Sequence, residues 1–124
     1  MNEWLLTYEG FDPDAEGLRE ALCTLGNGYF ATRGAAPEVS ADGRHYPGTY
    51  VAGVYNRLVA EVAGRTVANE SLVNIPNWLP LWFRAEGGPW MNDATCELLE
   101  HHLELDLHRG VLTRRSRLQD PAGR

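Results

Sequence analysis

The chain has 124 residues, room for one domain or part of one and for a single modest core. With 44% apolar and 23% charged residues it has the composition of a folded protein, not of a disordered tail. A formal net charge of −6 repels polyphosphate backbones, so nucleic acid is not an expected partner, and all 11 basic residues are Arg, which removes every Lys-based mechanism.

Trp4-Leu-Leu-Thr-Tyr8 is β-prone and reads as a first strand. Asp12-Pro13-Asp14 is placed to cap a short helical turn through Glu16 to Ala21. Asn27-Gly28 signals a type I′ hairpin turn, with Tyr29 to Arg33 as the outgoing strand and Gly34 as its end. Ala35 to Pro47 is polar and turn-rich, a loop. Thr49 to Tyr55 is an apolar run suited to a strand buried on both faces, and Ala63-Gly64-Arg65 reads as a turn. Asn74 to Pro80 is irregular, because Pro76 and Pro80 forbid a central strand. Leu81 to Ala85 reads as a further strand, closed by Gly87-Gly88-Pro89. Leu103, Leu105 and Leu107 alternate with Glu104, Asp106 and His108, the pattern of a half-buried strand. Gly110 turns the chain and Val111 to Leu118 returns. The turn at Asp120-Pro121 to Gly123 implies a following strand, so the expected fold is an all-β antiparallel sandwich that is incomplete.

Two cysteines, Cys23 and Cys96, make no disulfide framework and read as small buried hydrophobes of a reduced, cytoplasmic protein. The N-terminus lacks a basic region and a long apolar stretch, so neither a signal peptide nor a membrane span is expected. In that setting Asn69-Glu70-Ser71 is a chance sequon.

Few motifs carry chemistry. Gly26 to Ala31 fits a dinucleotide fingerprint, but a helix must follow such a fingerprint, and Tyr29 to Arg33 is strand-prone. His45, His101, His102 and His108 show no metal-ligand spacing and read as surface or loop residues. Ser40, Ser71 and Ser116 lie in no nucleophile elbow. A glycosidase needs two carboxylates across the scissile bond. Glu20, Glu38, Glu70, Glu97, Glu100 and Glu104 each read as ordinary exposed residues. Arg109, Arg114, Arg115 and Arg117 read as a solvated sheet face. Neither a catalytic residue nor a metal or cofactor site is therefore expected. The aromatic residues say more. Aromatic faces stack on the C–H faces of sugars and Asn amides match paired hydroxyls. Tyr50, Tyr55 and Trp82 are expected to fill the core; Asn74, Asn77 and Trp78, on an irregular segment, are the candidates to face substrate or another domain.

Three signatures run in order along the chain: Leu25-Gly-Asn-Gly-Tyr29 leading to Arg33-Gly34, then Tyr46-Pro-Gly-Thr-Tyr-Val-Ala-Gly-Val-Tyr-Asn56, then Asn74-Ile-Pro-Asn-Trp78. Together with Asp106 to Arg114 they resemble the N-terminal domain of glycoside hydrolase family 65, the maltose, trehalose and kojibiose phosphorylases and related hydrolases. The resemblance implies a galactose-mutarotase-like super-sandwich, of which residues 1–124 are part, followed in the family by a helical linker and an (α/α)6 barrel. It implies inverting cleavage of an α-glucosidic disaccharide, with inorganic phosphate as co-substrate in the phosphorylases and water in the hydrolases. The acid Glu and the phosphate-binding groups of the family lie in the barrel, so this chain alone is expected to be inactive. The expected partners are that barrel, the disaccharide through the parent enzyme, and further copies of the chain, because incomplete sheets leave edges that pair. A free-standing carbohydrate-binding module and a purely structural or dimerisation domain are the alternatives.

Overall fold

Alternation of apolar and polar residues sets the better-buried of two sheets. In the computed structural model, which describes residues 3–124, strands β1 (Leu5–Glu9), β6 (Glu97–Asp106) and β7 (Val111–Gln119) form an antiparallel sheet in the order β1-β6-β7. The registers Leu6↔Leu105 and Leu105↔Leu112 put three leucines on one face, and Tyr8↔Leu103 continues it. Leu103 and Leu105 are buried, with Cys23 beside them and Leu6, Tyr8, Leu25 and Leu112 packed around. Fully burying one such leucine contributes about 1.5–3 kcal/mol. Leu107 falls beyond the end of β6 and is exposed, so the expected alternation stops at Leu105.

Helix α1 (Glu16–Leu22) follows β1, and every residue in it except Gly17 is a good helix former. Its buried side chains are Glu16 and Glu20, one turn apart on the same face, while Leu18 and Leu22 are exposed. The Asp cap expected here is absent. Ala15 holds the N-cap position without a side-chain bond, and Asp12 Oδ1 instead accepts the Asp14 amide at 3.1 Å. The short Asx turn that results satisfies the aspartate before the helix begins.

The second sheet has the order β2-β3-β4-β5, comprising β2 (Leu25–Gly26), β3 (Phe30–Thr32), β4 (Thr49–Val62) and β5 (Arg65–Ile75). The β2–β3 hairpin forms where Asn27-Gly28 predicts it, with different turn residues. Only Gly28 takes a positive φ (87°), in the first central position, and Asn27 Oδ1 accepts the amides of Tyr29 and Phe30. At Ala63-Gly64 both residues have positive φ, 51° and 73°, the type I′ pattern that closes the β4–β5 hairpin. The sheets approach closely at Gly34, where a Cβ would stand 2.6 Å from Cys23 Cβ and 3.0 Å from Leu112 Cδ2.

Three expectations for the middle of the chain are corrected. The Thr49–Tyr55 run is buried only at its start; residues 52–72 are exposed, because β4 and β5 leave the rest of the sheet as a two-stranded ribbon. Tyr55 and Trp82 are exposed rather than core, and Tyr50 is half-buried. Leu81 to Ala85 is not a strand: its backbone bonds are isolated ones to loops and a local turn, Leu81 N to Pro37 O, Met91 N to Phe83 O and Gly88 N to Ala85 O. An apolar run without a partner strand has no ladder to join. The fold is the all-β antiparallel architecture that the strand pattern implies.

Candidate functional site

The three sequence signatures converge in space. Thr32 on β3 and Thr49 at the start of β4 bring their hydroxyls to 3.3 Å in a buried position. Trp78, on the irregular segment after β5, donates its indole Nε1–H to Thr32 Oγ1 at 3.0 Å. Asn74, at the end of β5, accepts the Thr49 amide on Oδ1 at 3.0 Å. One residue from each signature therefore fixes the next, although up to 46 positions separate them.

Trp78 is anchored by its nitrogen yet 65% exposed, and it forms one wall of an open cleft of about 480 Å³ between the sheets. Leu25, Phe30 and Leu112 supply apolar surface there, and Asn27, Arg33 and Arg114 supply polar groups. Among the described residues no acidic side chain lines it. An exposed indole above apolar walls with a few amide and guanidinium donors can stack on a flat apolar face and bind hydroxyls. Of the predicted site residues, the structure brings Asn74 and Trp78 into one network. Asn77 is elsewhere engaged, its Oδ1 accepting the Leu79 amide at 3.1 Å. Asn74 is also spent on structure, since its Nδ2 reaches Pro47 O. Trp78 alone keeps a free face.

In a second cluster, His45 and Glu20, which the sequence places on the surface, lie inside. His45 and Glu20 are 3% and 1% exposed, with Nδ1 to Oε1 at 2.8 Å. His45 Nε2 meets Asp93 Oδ2 at 3.2 Å, and Arg44 Nη1 holds the same oxygen at 2.7 Å. Glu20 Oε2 accepts the Tyr46 amide at 2.9 Å. The Glu20 hydrogen bond, reinforced by Asp93 against the opposing effect of burial, raises the His45 pKa to about 9. An imidazolium thus ties α1 to two loops. A buried carboxylate needs such a partner, which is why Glu20 is not the exposed residue its type suggests.

His101 has the opposite character. It is buried on β6, its Nδ1 is 3.2 Å from Ser116 Oγ, and its Nε2 is 3.3 Å from Arg114 Nη1. Burial, then the Arg114, Arg19 and His102 charges, lowers its pKa to about 4. Because the guanidinium can only donate, Nε2 accepts and the Nδ1–H faces Ser116. The histidine of a catalytic triad has a carboxylate behind it and a lone pair toward the serine. His101–Ser116 has neither, so it is no nucleophile pair. Arg114 also donates to Gly34 O at 2.8 Å, so it belongs to the interior and not to the solvated face expected of the basic cluster. Cys23 and Cys96 are buried as expected, and burial raises the Cys23 thiol pKa. Among the described residues no group of His, Cys, Asp and Glu is arranged to hold a metal ion. No described helix is long and apolar enough to cross a membrane.

Residues 6–124 match the family described as glycosyl hydrolase family 65, N-terminal domain. The chain is 56% identical over 121 residues to an uncharacterised glycosyl hydrolase of Mycobacterium tuberculosis, covering 98% of this chain and 9% of that protein. It is 38% identical over 122 residues to a kojibiose phosphorylase of Caldanaerobacter subterraneus subsp. tengcongensis, covering 98% of this chain and 14% of that one. Among solved structures, a human-microbiome protein provisionally named a kojibiose phosphorylase superposes with a TM-score of 0.79 at 23% identity, over 93% of this chain and 16% of that chain. The chain thus spans a small fraction of the length of the relatives it matches.

Proposed function

Because the chain belongs to glycosyl hydrolase family 65 and matches its N-terminal domain, we propose that it is the non-catalytic front of an enzyme that cleaves α-glucosidic disaccharides. Kojibiose, maltose and trehalose or its 6-phosphate are the substrate candidates; relatives of this chain carry the names kojibiose phosphorylase, trehalose 6-phosphate phosphorylase and maltose phosphorylase. The reaction is inverting: an acid protonates the leaving oxygen while phosphate, or water in a hydrolase, attacks the anomeric carbon from the opposite face. Both the acid and the phosphate site belong to a barrel domain outside residues 1–124. The Trp78 cleft faces that barrel and either packs on it or borders the sugar. One observation carries this reading: Trp78 is held by Thr32 through its nitrogen and leaves its ring uncovered, above walls that bear no carboxylate.

The test has two arms. The 124-residue chain, incubated with each disaccharide and phosphate, should release no glucose 1-phosphate; release would assign catalysis to this chain and overturn the reading. In a polypeptide carrying both this domain and the barrel, Trp78→Ala should lower activity or the melting temperature, and unchanged values for both would remove the cleft from the interface. Titration of the isolated chain with the same sugars separates the alternative of a free-standing binding module, which requires saturable binding.

A further inference from the structure

Between helix α1 and strands β6 and β7 lies a small cavity of about 20 Å³, closed on its other sides by the long loop before β4 and the turn before β6. That volume holds about one water molecule. Its polar wall carries Glu16, His45, Asp93, Arg114 and Ser116.

Two of these residues are deep in the protein and only half satisfied. Glu16 is 1% exposed, and its Oε1 accepts from Arg19 Nη1 at 3.3 Å. Its Oε2 has no donor among the described residues. Arg33 Nε is the one side-chain nitrogen or oxygen among those residues that is sealed in without a partner, so Glu16 Oε2, equally unpaired, still borders open space. The cavity that Glu16 lines is that space. Ser116 lacks the complementary partner. Its Oγ accepts the Nδ1–H of His101 at 3.2 Å, and its own hydroxyl hydrogen has no acceptor among the described residues. A buried polar group without its hydrogen bond is costly, and most so when it is charged.

Asp93 adds a third group. Its Oδ2 takes both Arg44 and His45, and its Oδ1 has no donor among the described residues. The wall therefore offers one donor and two acceptors. A single water satisfies all three by accepting once and donating twice. Ions fit the wall less well. A cation would meet the His45 imidazolium and the Arg114 guanidinium, and an anion would meet Glu16 and Asp93.

We infer that this cavity is a binding site for one buried water, which accepts from the Ser116 hydroxyl and donates to Glu16 Oε2 and Asp93 Oδ1. The water joins α1, the turn before β6 and β7 at a point where these three side chains make no direct hydrogen bond to one another. It links the Glu20–His45–Asp93 cluster to the His101–Ser116–Arg114 group, so the two buried networks act as one. The site shares only Arg114 with the walls of the Trp78 cleft and does not depend on the function proposed above.

A crystal structure of the chain, at a resolution that defines ordered water, should show one water within hydrogen-bond distance of both Ser116 Oγ and Glu16 Oε2. An empty cavity, a direct protein donor on Glu16 Oε2, or a coordinated ion in place of the water overturns the inference. A double-mutant cycle tests the same site in solution. Ser116→Ala and Glu16→Leu each remove a partner of the same water, so their effects on the folding equilibrium constant should depart from additivity by at least about threefold. Denaturant titration of the wild type, both single variants and the double variant measures this, and additive effects overturn the bridge. If a variant fails to fold, the electron density in the cavity decides alone.

Discussion

His45 Nδ1 lies 2.8 Å from Glu20 Oε1 in the protein interior, 25 positions apart in the chain, and the pair joins α1 to the long loop before β4. Removing one member leaves the other buried without its partner, which typically costs about 3–5 kcal/mol. His45→Gln or Glu20→Gln should therefore lower stability by an amount of that order in denaturant titration near pH 7. A loss under 1 kcal/mol in both variants would show that the pair is not structural.

The same pair has a defined pH dependence. The folded pKa of His45 is raised from its ordinary 6.5 to about 9, so the folded chain holds a proton that the unfolded chain releases. Its stabilisation is complete below about pH 6.5 and is lost as pH rises toward and through about 9. The groups that face it are the Glu20, Asp93 and Arg44 side chains and the Phe11 ring, stacked at 6.5 Å. The stability gap between wild type and His45→Gln should be largest near pH 6 and should narrow by pH 10. A gap that does not change with pH would mean that His45 is neutral.

His101 should behave in the reverse sense. Its folded pKa, lowered to about 4, lies below that of the unfolded chain, so the unfolded state takes up the proton first. Stability attributable to His101 is present above about pH 6.5 and declines as pH falls toward 4. The charged groups around it are Arg114, Arg19 and His102, with Ser116 Oγ at hydrogen-bond distance. In an NMR titration its ring resonances should stay flat from pH 8 to 5.5. A full titration centred near 6.5 would contradict the buried, neutral assignment.

The core is small enough to make single deletions costly. Leu103 is fully buried against Cys23 and Leu105, and Leu103→Ala should cost about 2–5 kcal/mol. Against the 5–15 kcal/mol typical of a whole domain, such a loss should shift the melting temperature by many degrees or prevent folding. Exposed Val59→Ala on the ribbon provides the contrast and should change monomer stability by less than about 0.5 kcal/mol. Equal losses for the two would place the core elsewhere.

What the sequence discloses about this fold depends on how local the cause is. Leu103 and Leu105 declare their strand through alternation, and Ala63-Gly64 declares its turn because two residues suffice to set it. β5 carries no such pattern. Arg65 to Ser71 mixes small, polar and β-branched residues because both faces of the ribbon are exposed, so no buried face imposes a period of two. Leu81 to Ala85 misleads for the opposite reason, being apolar yet without a partner strand. Within the candidate site, the exposed Trp78 is legible from its irregular, Pro-flanked segment. The Glu20–His45–Asp93 cluster is not, because its members meet across 25 and 48 positions and each has the type of an ordinary surface residue. Spacing can reveal a helix face or a metal motif; it cannot reveal an ion pair made by three separate segments.

The network that joins the three signatures divides its members into those that hold the fold and the one left to act. Asn74 Oδ1 satisfies the amide of Thr49, whose residue is 1% exposed, so Asn74→Ala strands a buried donor and should cost about 1–3 kcal/mol. Trp78→Phe removes only the indole N–H to Thr32 Oγ1 and keeps an aromatic face, and should cost about 0.5–1.5 kcal/mol. If Trp78 exists for the surface it offers, Trp78→Phe should retain more activity in a barrel-bearing polypeptide than Trp78→Ala, while Asn74→Ala should act through stability alone. Denaturant titration paired with turnover measurements for the three variants separates these effects. Equal activity in the Phe and Ala variants would mean that the exposed ring touches nothing that matters to the reaction.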